Sequence, residues 1–288
     1  MDFFHESKPF YRGNLHCHTT ESDGVKSPEE AIAIYRDFGY DFLALTDHRK
    51  VTVKRQRMAG QMLLLPGIEL DYTLGPEVVH IVGFGMTRDL EPLVAYEQGP
   101  QAGVDAIRAC GGRAILAHPH WSLNTMATLT GLHHVTAAEI YNTMSYLRPD
   151  SSEILDVCAA HGRLFPLVAS DDTHEYEGEH GVSYTMVQAD ALTPEALMTA
   201  MDAGRFYASQ GPRLEQLTLA DGKLTVRCSP AAKVHFHSNL VWTPDRRVVG
   251  QGITQASYPL NLEAGERFVR VQVIDNAGCS AWSSPIAL

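Results

Sequence analysis

Residues 14–24 read NLHCHTTESDG, and they place three potential metal ligands in one strand end and the turn after it. Successive side chains of an extended segment point to opposite faces, so His16 and His18 project to the same side while Cys17 points away. The Ser-Asp-Gly that follows is typical of a turn, which can bring the Asp23 carboxylate back towards the two imidazoles. A lone His-x-His is weak evidence, because neutral imidazole is also at home in a half-buried strand. Whether this stretch binds metal therefore depends on further ligands at other strand ends.

Alternating strands and helices follow this stretch. Residues 27–30 read SPEE, which combines an N-cap serine, a proline at the first helical position and a capping-box glutamate, so we predict a helix ending at Phe38 and closed by Gly39. Similar start and stop signals predict the other elements. The predicted strands cover 42–45, 62–65, 78–82, 113–117, 137–141, 164–169 and 182–189, and the other predicted helices cover 101–110, 150–161 and 193–204. This alternation favours a parallel sheet and is typical of a barrel, in which catalytic residues gather at the carboxyl ends of the strands.

Ionisable side chains recur at these predicted strand ends. His48 follows the strand at 42–45, for example, and Glu69 follows the strand at 62–65. At a barrel mouth without function, neutral polar residues would be expected in place of ionisable ones. The recurrence of ionisable residues over several strands therefore indicates a functional site. The residues concerned, together with His80 inside a strand and the uncharged Asn142, are Asp47, His48, Glu69, His118, Glu139, Asp171, Asp172 and His174.

The combined motifs resemble those of the PHP (polymerase and histidinol phosphatase) superfamily of metal-dependent phosphoesterases. The resemblance covers roughly residues 10–210, and the motifs appear in the family's order. They are His16-x-His18 with Ser22-Asp23-Gly24, Thr46-Asp47-His48, Gly67-x-Glu69, His80 within a strand, Ala117-His118-Pro119, and the Ser-Asp-x-x-His that ends at His174. Within the superfamily the chain is similar to the stand-alone, carbaryl-hydrolase-like metallohydrolases, a similarity supported by GRFYASQGP at 204–212.

The resemblance implies an α/β fold, a distorted (β/α)7 TIM-like barrel with two or three metal ions at its mouth. It also implies a ligand set, carried over position by position. The implied metal ligands are His16, His18, Asp23, His48, Glu69, His80, His118, Asp172 and His174. The spacing before His174 favours Asp172 over Asp171, and Asp171 could instead orient a neighbouring imidazole.

This ligand set consists of nitrogen and oxygen donors without a thiolate. Nine donors are too many for one ion and suit two or three divalent ions with a bridging carboxylate. Glu69 is the first choice for the bridge. Mn²⁺ ranks first among the metals, and Fe²⁺ or Zn²⁺ would also accept such a site. A hydroxide bridging the ions would attack phosphorus in line with the leaving group.

Other polar residues near the predicted mouth have two interpretations each. His120 would protonate the leaving group, or it packs as a loop histidine on Trp121. Arg49 would contact a phosphate oxygen, or it is an ordinary surface arginine. Asp47 is expected to fix the orientation of an imidazole, although an exposed strand-end aspartate is nearly as good an interpretation. For Glu139 and Asn142, a contact with ligands or substrate and a simple loop hydrogen bond are equally compatible with the sequence.

The C-terminal part of the chain has a different pattern. After a barrel domain at 1–210, short alternating segments and turn residues predict a small β-sandwich-like domain at 211–288. The strands are predicted over 214–219, 224–228, 233–237, 257–262 and 267–274, with no helix. His235 and His237 repeat the His-x-His spacing, but no later residue completes a second site, so we interpret them as structural. Such a module could brace the barrel, cover the site or mediate a homodimer.

Composition limits the classes of function. The 288 residues are 44% hydrophobic, which is enough for a sizeable core, and the formal net charge of −11 argues against binding long nucleic acids. The five cysteines lack Cys-x-x-Cys spacing, which is typical of reduced thiols. No signal peptide or membrane span is recognisable, so we predict a cytoplasmic protein that does not bind membranes.

The sequence therefore predicts a metal-dependent phosphoesterase. Its expected substrate is a phosphoester, either monoester or diester, of a small molecule or nucleotide. A carbamate, ester or amide hydrolase on the same metal centre is the alternative, because the same ions would polarise a carbonyl group. A metal-binding regulatory protein without turnover is the third hypothesis.

Overall fold

The computed structural model describes residues 1–5 and 7–288, and within them the chain is a mixed α/β protein. The helices are α1 Pro28–Asp37, α2 Pro100–Ala109, α3 Met126–Gly131, α4 Ser152–Ala160 and α5 Pro194–Asp202. The strands as far as residue 209 are β1 Asp2–Phe4, β2 Phe10–Asn14, β3 Phe42–Ala44, β4 Arg57–Ala59, β5 Met62–Leu65, β6 Gly67–Leu74, β7 Glu77–Phe84, β8 Arg113–Leu116, β9 Ala137–Asn142, β10 Leu167–Ser170, β11 Tyr184–Gln188 and β12 Phe206–Ser209. The strands after it are β13 Leu214–Ala220, β14 Lys223–Ser238, β15 Arg247–Pro259, β16 Phe268–Ile274, β17 Ser280–Ser283 and β18 Ile286–Ala287.

The predicted helices are confirmed to within a few residues. At the start of α1, the Ser27 hydroxyl accepts a hydrogen bond from the Glu30 amide at 3.3 Å, and the Glu30 carboxylate accepts one from the Ser27 amide at 2.9 Å. This is the predicted capping box. Gly39 follows the helix with φ +74°, a conformation that favours glycine. The short helix α3 was not predicted from the sequence, and the side chain of Thr125 caps its first turn.

The closed, parallel barrel predicted from the sequence is not confirmed. The named strands of the described residues form two sheets that do not close on one another. The orders are β1-β13-β14-β16-β17-β12-β11-β2-β3-β5-β4, with β15 beside β14 and β18 beside β16, and β10-β9-β8-β7-β6.

Parallel pairing is limited to the strands that helices or long loops connect. β2-β3-β5 and β8-β9-β10 are parallel, whereas β6 and β7 pair antiparallel, as do β7 and β8. Only Gly75 and Pro76 lie between β6 and β7, and so short a connection permits a hairpin but no parallel crossover. The sequence pattern, in which polar residues follow strands, did not reveal that β7 runs antiparallel to its neighbours.

Glu69 lies inside β6 rather than after a strand, which corrects the predicted position. β5 ends at Leu65, and the chain passes through Pro66 directly into β6 in the other sheet. At Gly67 the backbone passes so close to Leu45 that a Cβ atom would lie 2.4 Å from the Leu45 carbonyl oxygen. Glycine therefore permits the close approach that sets Glu69 opposite His48 in an isolated parallel bridge.

The segments beyond the strand ends connect the two sheets. The amide of Asp172 donates to the His16 carbonyl at 2.9 Å, and the amide of His18 donates to the Thr173 carbonyl at 2.9 Å. In the same way the Glu69 amide donates to the Asp47 carbonyl at 3.2 Å. These contacts bring polar residues from both sheets to one end of the fold.

A buried apolar core lies beneath that end, between the two sheets. It includes Phe42, Leu63, Phe84, Ile115 and Val168, each no more than 3% exposed. Because these side chains come from β3, β5, β7, β8 and β10, the core holds both sheets in place relative to the site.

The C-terminal strands differ in detail from the prediction. β14 is one continuous strand that contains both predicted segments at 224–228 and 233–237, and β15 ends at Pro259 instead of continuing to 262. Residues Leu262–Ala264 form a short 3₁₀ helix, which corrects the expectation of no helix in this region. β1 pairs with β13 and β12 pairs with β17, so the N-terminal strands share a sheet with the C-terminal ones. The division at residue 210 and the β-sandwich-like arrangement stay predictions.

Among the described residues, no helix combines the length and the apolar run needed to cross a bilayer.

His237 lies in β14 and faces α4 and β16 in a cluster of charges. Its Nε2 is 3.0 Å from Gln272 Oε1, its Nδ1 is 3.5 Å from Asp156 Oδ2, and Asp156 forms a two-point ion pair with Arg270 at 2.6 Å. Burial and the neighbouring Arg270 lower the pKa of His237 to about 4, with His235 adding to the shift and Asp156 opposing it. These contacts are consistent with the structural interpretation of His237.

We expect His237 to make the protein less stable in mild acid. The unfolded chain binds a proton at His237 below its usual pKa of about 6.5, whereas the folded chain binds it only near pH 4, so stability falls as the pH decreases through that interval. Between pH 7 and pH 4.5, the free energy of unfolding of the wild type should fall by about 2 kcal/mol more than that of His237→Gln. Urea unfolding of both proteins at the two pH values measures this difference, and equal falls would contradict it.

Candidate metal centre

The nine implied ligands converge into three adjacent groups of donor atoms, and within each group the atoms lie within 4.8 Å of one another. Two residues, His18 and Glu69, belong to two groups each. The central group is His16, His18, Glu69 and Asp172, the His80 group is Glu69, His80 and His118, and the Asp23 group is Asp23, His48 and His174 with His18. The structure thus brings together side chains that lie up to 158 residues apart in sequence, from His16 to His174.

The central group has the dimensions of a cation shell. His16 Nε2 lies 3.2 Å from Glu69 Oε2 and 3.1 Å from Asp172 Oδ1, and for His18 Nε2 the same two distances are 3.0 and 3.1 Å. Ligands bound at about 2.1 Å are separated by about 3.0 Å in an octahedral shell and about 3.4 Å in a tetrahedral one. The observed distances match this interval.

Several of these atoms also lack another partner. His16 Nε2, His18 Nε2 and Asp172 Oδ1 are buried and have no partner in hydrogen-bond geometry among the described residues. Leaving a buried polar atom unpaired is costly, and a cation between these atoms would satisfy all of them. The donors present therefore fit a divalent cation.

The charges of the central group favour a cation as well. Burial alone would lower the pKa of His16, but the carboxylates of Asp172, Glu69 and Glu139 raise it well above its usual value. Burial would also lower the pKa of His18, but the nearby carboxylates of Asp172 and Glu69 outweigh it and raise that pKa to about 9. A site that attracts protons this strongly also attracts metal cations, with which the protons compete.

Glu69 faces two groups with its two oxygens. Oε2 points to the central group, while Oε1 lies 2.8 Å from His80 Nδ1 and 3.5 Å from His118 Nε2 in the His80 group. A carboxylate in this position can bridge two ions. The Ser122 hydroxyl lies 2.8 Å from His118 Nδ1 and holds that ring from the other side.

The Asp23 group lies nearer the surface. Asp23 Oδ1 is 3.5 Å from His174 Nε2, and Asp23 Oδ2 is 3.5 Å from His48 Nε2, while the Asp23 side chain is 53% exposed. His174 Nδ1 donates to the carbonyl of Asp172 at 2.8 Å, which leaves Nε2 as the free donor atom.

Glu139 holds the central group from behind. Its Oε1 is 2.9 Å from His16 Nδ1, and its Oε2 accepts hydrogen bonds from the His118 amide at 2.9 Å and from Asn142 Nδ2 at 2.8 Å. The same Asn142 nitrogen lies 3.2 Å from Asp172 Oδ2. Both residues therefore contact implied ligands, as one of the two sequence interpretations expects.

Asp47 contacts no imidazole directly, which corrects the expectation from the sequence. It accepts hydrogen bonds from the Thr19 amide at 2.7 Å and from the hydroxyls of Thr19, Ser22 and Thr52. Asp47 thus holds the loop that carries Asp23, and it reaches His18 only through Ser22, whose Oγ is 3.3 Å from His18 Nδ1.

Asp171 also contacts no imidazole. It accepts hydrogen bonds from the amides of residues 181–183 and from the hydroxyls of Tyr35 and Tyr40, and burial raises its pKa to about 6. The structure therefore places Asp172, and not Asp171, among the donor groups, and it does not support the role of Asp171 in orienting an imidazole.

His120 and Arg49 do not reach the site in the way that the sequence suggested. His120 Nδ1 is held at 2.8 Å by the carbonyl of Asp150. Arg49 forms a two-point ion pair with Asp71 at 2.7 and 2.8 Å, and its guanidinium lies 4.6 Å above the Tyr96 ring. Neither side chain lines the cavity at the donor groups, because the Asp150 carbonyl and the Asp71 carboxylate hold them elsewhere.

A cavity of about 360 Å³ opens over the three groups. Its lining includes four residues that the sequence analysis did not assign to the site. They are Trp121, Met144, Ser145 and Tyr146. Trp121 is close to His118 in sequence and the other three follow Asn142, so position after a strand was the available signal, but nothing in their residue types distinguished them.

We expect Asp47→Ala to weaken one metal site selectively. Without the carboxylate, the buried Thr19 amide and the Ser22 hydroxyl lose their acceptor, so the loop no longer holds Asp23 against His48 and His174. Binding of one ion should weaken by about tenfold, the lower end of the range for residues that support ligands. Metal titration with stoichiometry by mass spectrometry measures this, Asp37→Ala on the surface is the control, and uniform loss of all ions would contradict it.

Comparisons with known proteins support the fold. No family model matches the sequence. Over 93 residues the chain is 31% identical to a Haemophilus influenzae protein described as a 5'-3' exoribonuclease, a match that covers 31% of this chain and 34% of that protein. The chain thus matches about a third of the length of that curated relative.

Among solved structures, a two-domain Bacteroides vulgatus protein, described as containing a predicted PHP-like metal-dependent phosphoesterase, superposes with a TM-score of 0.58 at 15% identity. The superposition covers 99% of this chain and 96% of that chain. A Chromobacterium violaceum protein described as an amidohydrolase gives a TM-score of 0.44 at 16% identity, over 58% of this chain and 89% of that one. The first likeness shows that the chain has the fold of a PHP-like two-domain protein, which confirms the resemblance at the level of the fold.

Proposed function

We propose that this protein is a metal-dependent hydrolase that cleaves a phosphoester, monoester or diester, of a small molecule or nucleotide. The observation that carries the proposal is the convergence of nine nitrogen and oxygen donors into three adjacent groups under one cavity. The PHP-like fold supports the same class of reaction. The partial likeness to a described exoribonuclease supports a nucleotide as one candidate substrate.

Two or three divalent cations would be held by these groups. Mn²⁺ ranks first, and Fe²⁺ and Zn²⁺ suit the same mixture of imidazoles and carboxylates. Bound there, such cations supply an activated water at neutral pH and polarise the phosphorus–oxygen bonds.

The chain's own residues position these cations. Glu69 joins the central and His80 groups, Glu139 keeps His16 Nδ1 engaged so that Nε2 faces the site, and Asp47 holds the loop of Asp23. Because these contacts are buried, the ligand geometry is set before substrate arrives.

We also infer that the two sheets are a distorted, open form of the (β/α)7 barrel. The support is that bridges between Cys17 and Thr173 and between His48 and Glu69 join the strand ends of the two sheets at the metal centre. The donor groups lie at that junction, which is where a barrel carries its site.

The carboxyl-type alternative keeps one observation in its favour. Among the described residues that line the cavity, none is a lysine or arginine. Arg49 is paired with Asp71, and Arg148 is exposed outside the lining. A phosphate would therefore depend on the cations alone, whereas a carbamate or ester carbonyl needs no further positive charge.

Hydrolysis of three esters by the Mn²⁺-loaded protein tests the proposal. We expect release of p-nitrophenol from p-nitrophenyl phosphate or from bis-p-nitrophenyl phosphate, and loss of that activity in His18→Ala. Activity on p-nitrophenyl acetate alone would overturn the proposal in favour of carboxyl-type hydrolysis. No activity on any of the three would favour the regulatory hypothesis.

A further inference from the structure

The cavity lining contains two kinds of residue. Most of it consists of donor residues, and the rest includes Trp121, Met144 and Tyr146, which we call the apolar wall. Trp121 is 45% exposed and Tyr146 is 65% exposed, so both rings present free surface at the cavity. Exposed aromatic rings beside a reactive centre offer a contact surface for a planar apolar group.

Trp121 is held at the edge of the metal centre. Its ring centroid lies 5.0 Å from that of His118, at an interplanar angle of 79°, and 6.1 Å from that of His80, at 62°. Both contacts are edge-to-face, a favourable geometry for aromatic pairs. The indole is therefore fixed directly beside the His80 group while part of it stays exposed.

The charge around the apolar wall disfavours a substrate with further anionic groups. Burial and the nearby carboxylates of Glu179, Glu175 and Glu177 raise the pKa of Tyr146, so these carboxylates place negative charge near this part of the lining. Since no described lining residue is a lysine or arginine, a second phosphate on the substrate would have no partner there. The part of the substrate beyond the reacting phosphate is thus expected to be neutral.

Apart from the donor residues, the lining offers only a weak acid for the leaving group, the phenol of Tyr146 with its raised pKa. His120 is held by the Asp150 carbonyl, and the Ser145 hydroxyl donates to Asn142 Oδ1 at 2.9 Å. Phenols have a pKa of about 10, whereas water and simple alcohols have a pKa of about 16, so an aryloxide departs without protonation far more readily than an alkoxide. An aromatic alcohol matches both the wall and this shortage of acid.

We propose, building on the phosphoesterase function above, that the apolar wall binds the aromatic leaving group of an aryl phosphoester. Water supplies the oxygen that bonds to phosphorus, and the bond from phosphorus to the aryl oxygen breaks. The aryloxide leaves with the electron pair and takes its proton from solvent, while the attacking water gives up one proton to solvent. Trp121 and Tyr146 select the substrate by contact with the ring, and the metal centre holds the phosphate.

The affinities of phenylphosphonate and methylphosphonate for the Mn²⁺-loaded protein, measured by calorimetry, test whether the apolar wall binds an aromatic ring. Neither ligand is hydrolysed, so binding is measured without turnover. The phenyl ligand should bind about tenfold more tightly to the wild type, from ring contact and burial. Trp121→Ala and Tyr146→Ala should each reduce this preference by at least about threefold, and Tyr146→Ala should leave the affinity for methylphosphonate unchanged. Leu123→Ala and Leu147→Ala are the matched controls, because both residues are exposed and neither lines the cavity. Because Tyr146 is exposed, Tyr146→Ala is expected to fold, and it tests the wall even if Trp121→Ala does not fold.

The outcomes distinguish the proposed role of the apolar wall from the proposed phosphoesterase function. Equal affinities for both ligands in the wild type would overturn the wall. A phenyl preference without hydrolysis of phenyl phosphate would keep the wall and overturn the phosphoesterase, and no binding of either ligand would overturn both. Faster turnover of adenosine monophosphate than of phenyl phosphate would also overturn the proposed leaving group, because that substrate has an alkyl ester.

Discussion

Replacing Glu69 with glutamine is expected to lower phosphoester hydrolysis by about a thousandfold and to remove at least one bound metal ion per chain. The two oxygens of Glu69 face different donor groups, with Oε2 3.0 Å from His18 Nε2 and Oε1 2.8 Å from His80 Nδ1. Glutamine keeps the shape but replaces one oxygen with an NH₂ group, which cannot bind a cation. One of the two groups therefore loses the carboxylate oxygen that Glu69 supplies, and the bridge between them is lost.

Metal content and rate should be measured on the same samples. Glu195→Gln, an exposed change in the first turn of α5, is the control and should keep both values. A Glu69→Gln protein with the wild-type number of ions and the wild-type rate would show that Glu69 does not bridge the centre.

Glu139→Gln is expected to weaken metal binding at the central group by roughly 10- to 100-fold, although Glu139 itself lies in none of the donor groups. The carboxylate accepts hydrogen bonds at both oxygens, from His16 Nδ1 and from the His118 amide. Glutamine has one acceptor oxygen, so its NH₂ group must face one of these two N–H donors. The result is either a turned His16 ring or a displaced His118 backbone.

Competition between the protein and a fluorescent chelator measures this loss of affinity. Glu153→Gln, on the exposed side of α4, should leave the affinity unchanged. If Glu139→Gln binds metal as tightly as the wild type, the contact at His16 Nδ1 does not orient the ligand.

The donor set could be predicted from the sequence mainly through its resemblance to the PHP superfamily, and two placements also follow from local spacing. His16 and His18 share a strand face by their spacing, and the motif that ends at His174 places Asp172 rather than Asp171 in the site. The structure places both pairs accordingly, with Asp171 turned to the 181–183 amides. Local geometry was sufficient here, because strand alternation decides which side chain points to which face.

Other features depend on contacts that no local pattern contains. The β6-β7 hairpin puts Glu69 inside a strand, since a two-residue connection forces antiparallel pairing. His120 and Arg49 have suitable residue types and positions, but Asp150 and Asp71 hold them away from the cavity. Partners of this kind come from distant segments, so the direction of a polar side chain at a loop remains beyond sequence reasoning.

Reversible removal of metal is the measurement that tests the central claim most directly. Phosphate release from p-nitrophenyl phosphate should fall to background after chelation, return when Mn²⁺ is restored, and stay at background in folded His18→Ala under both conditions. Phosphoester hydrolysis that survives complete chelation, or that persists in His18→Ala, would contradict a metal centre built on the His16, His18, Glu69 and Asp172 donors.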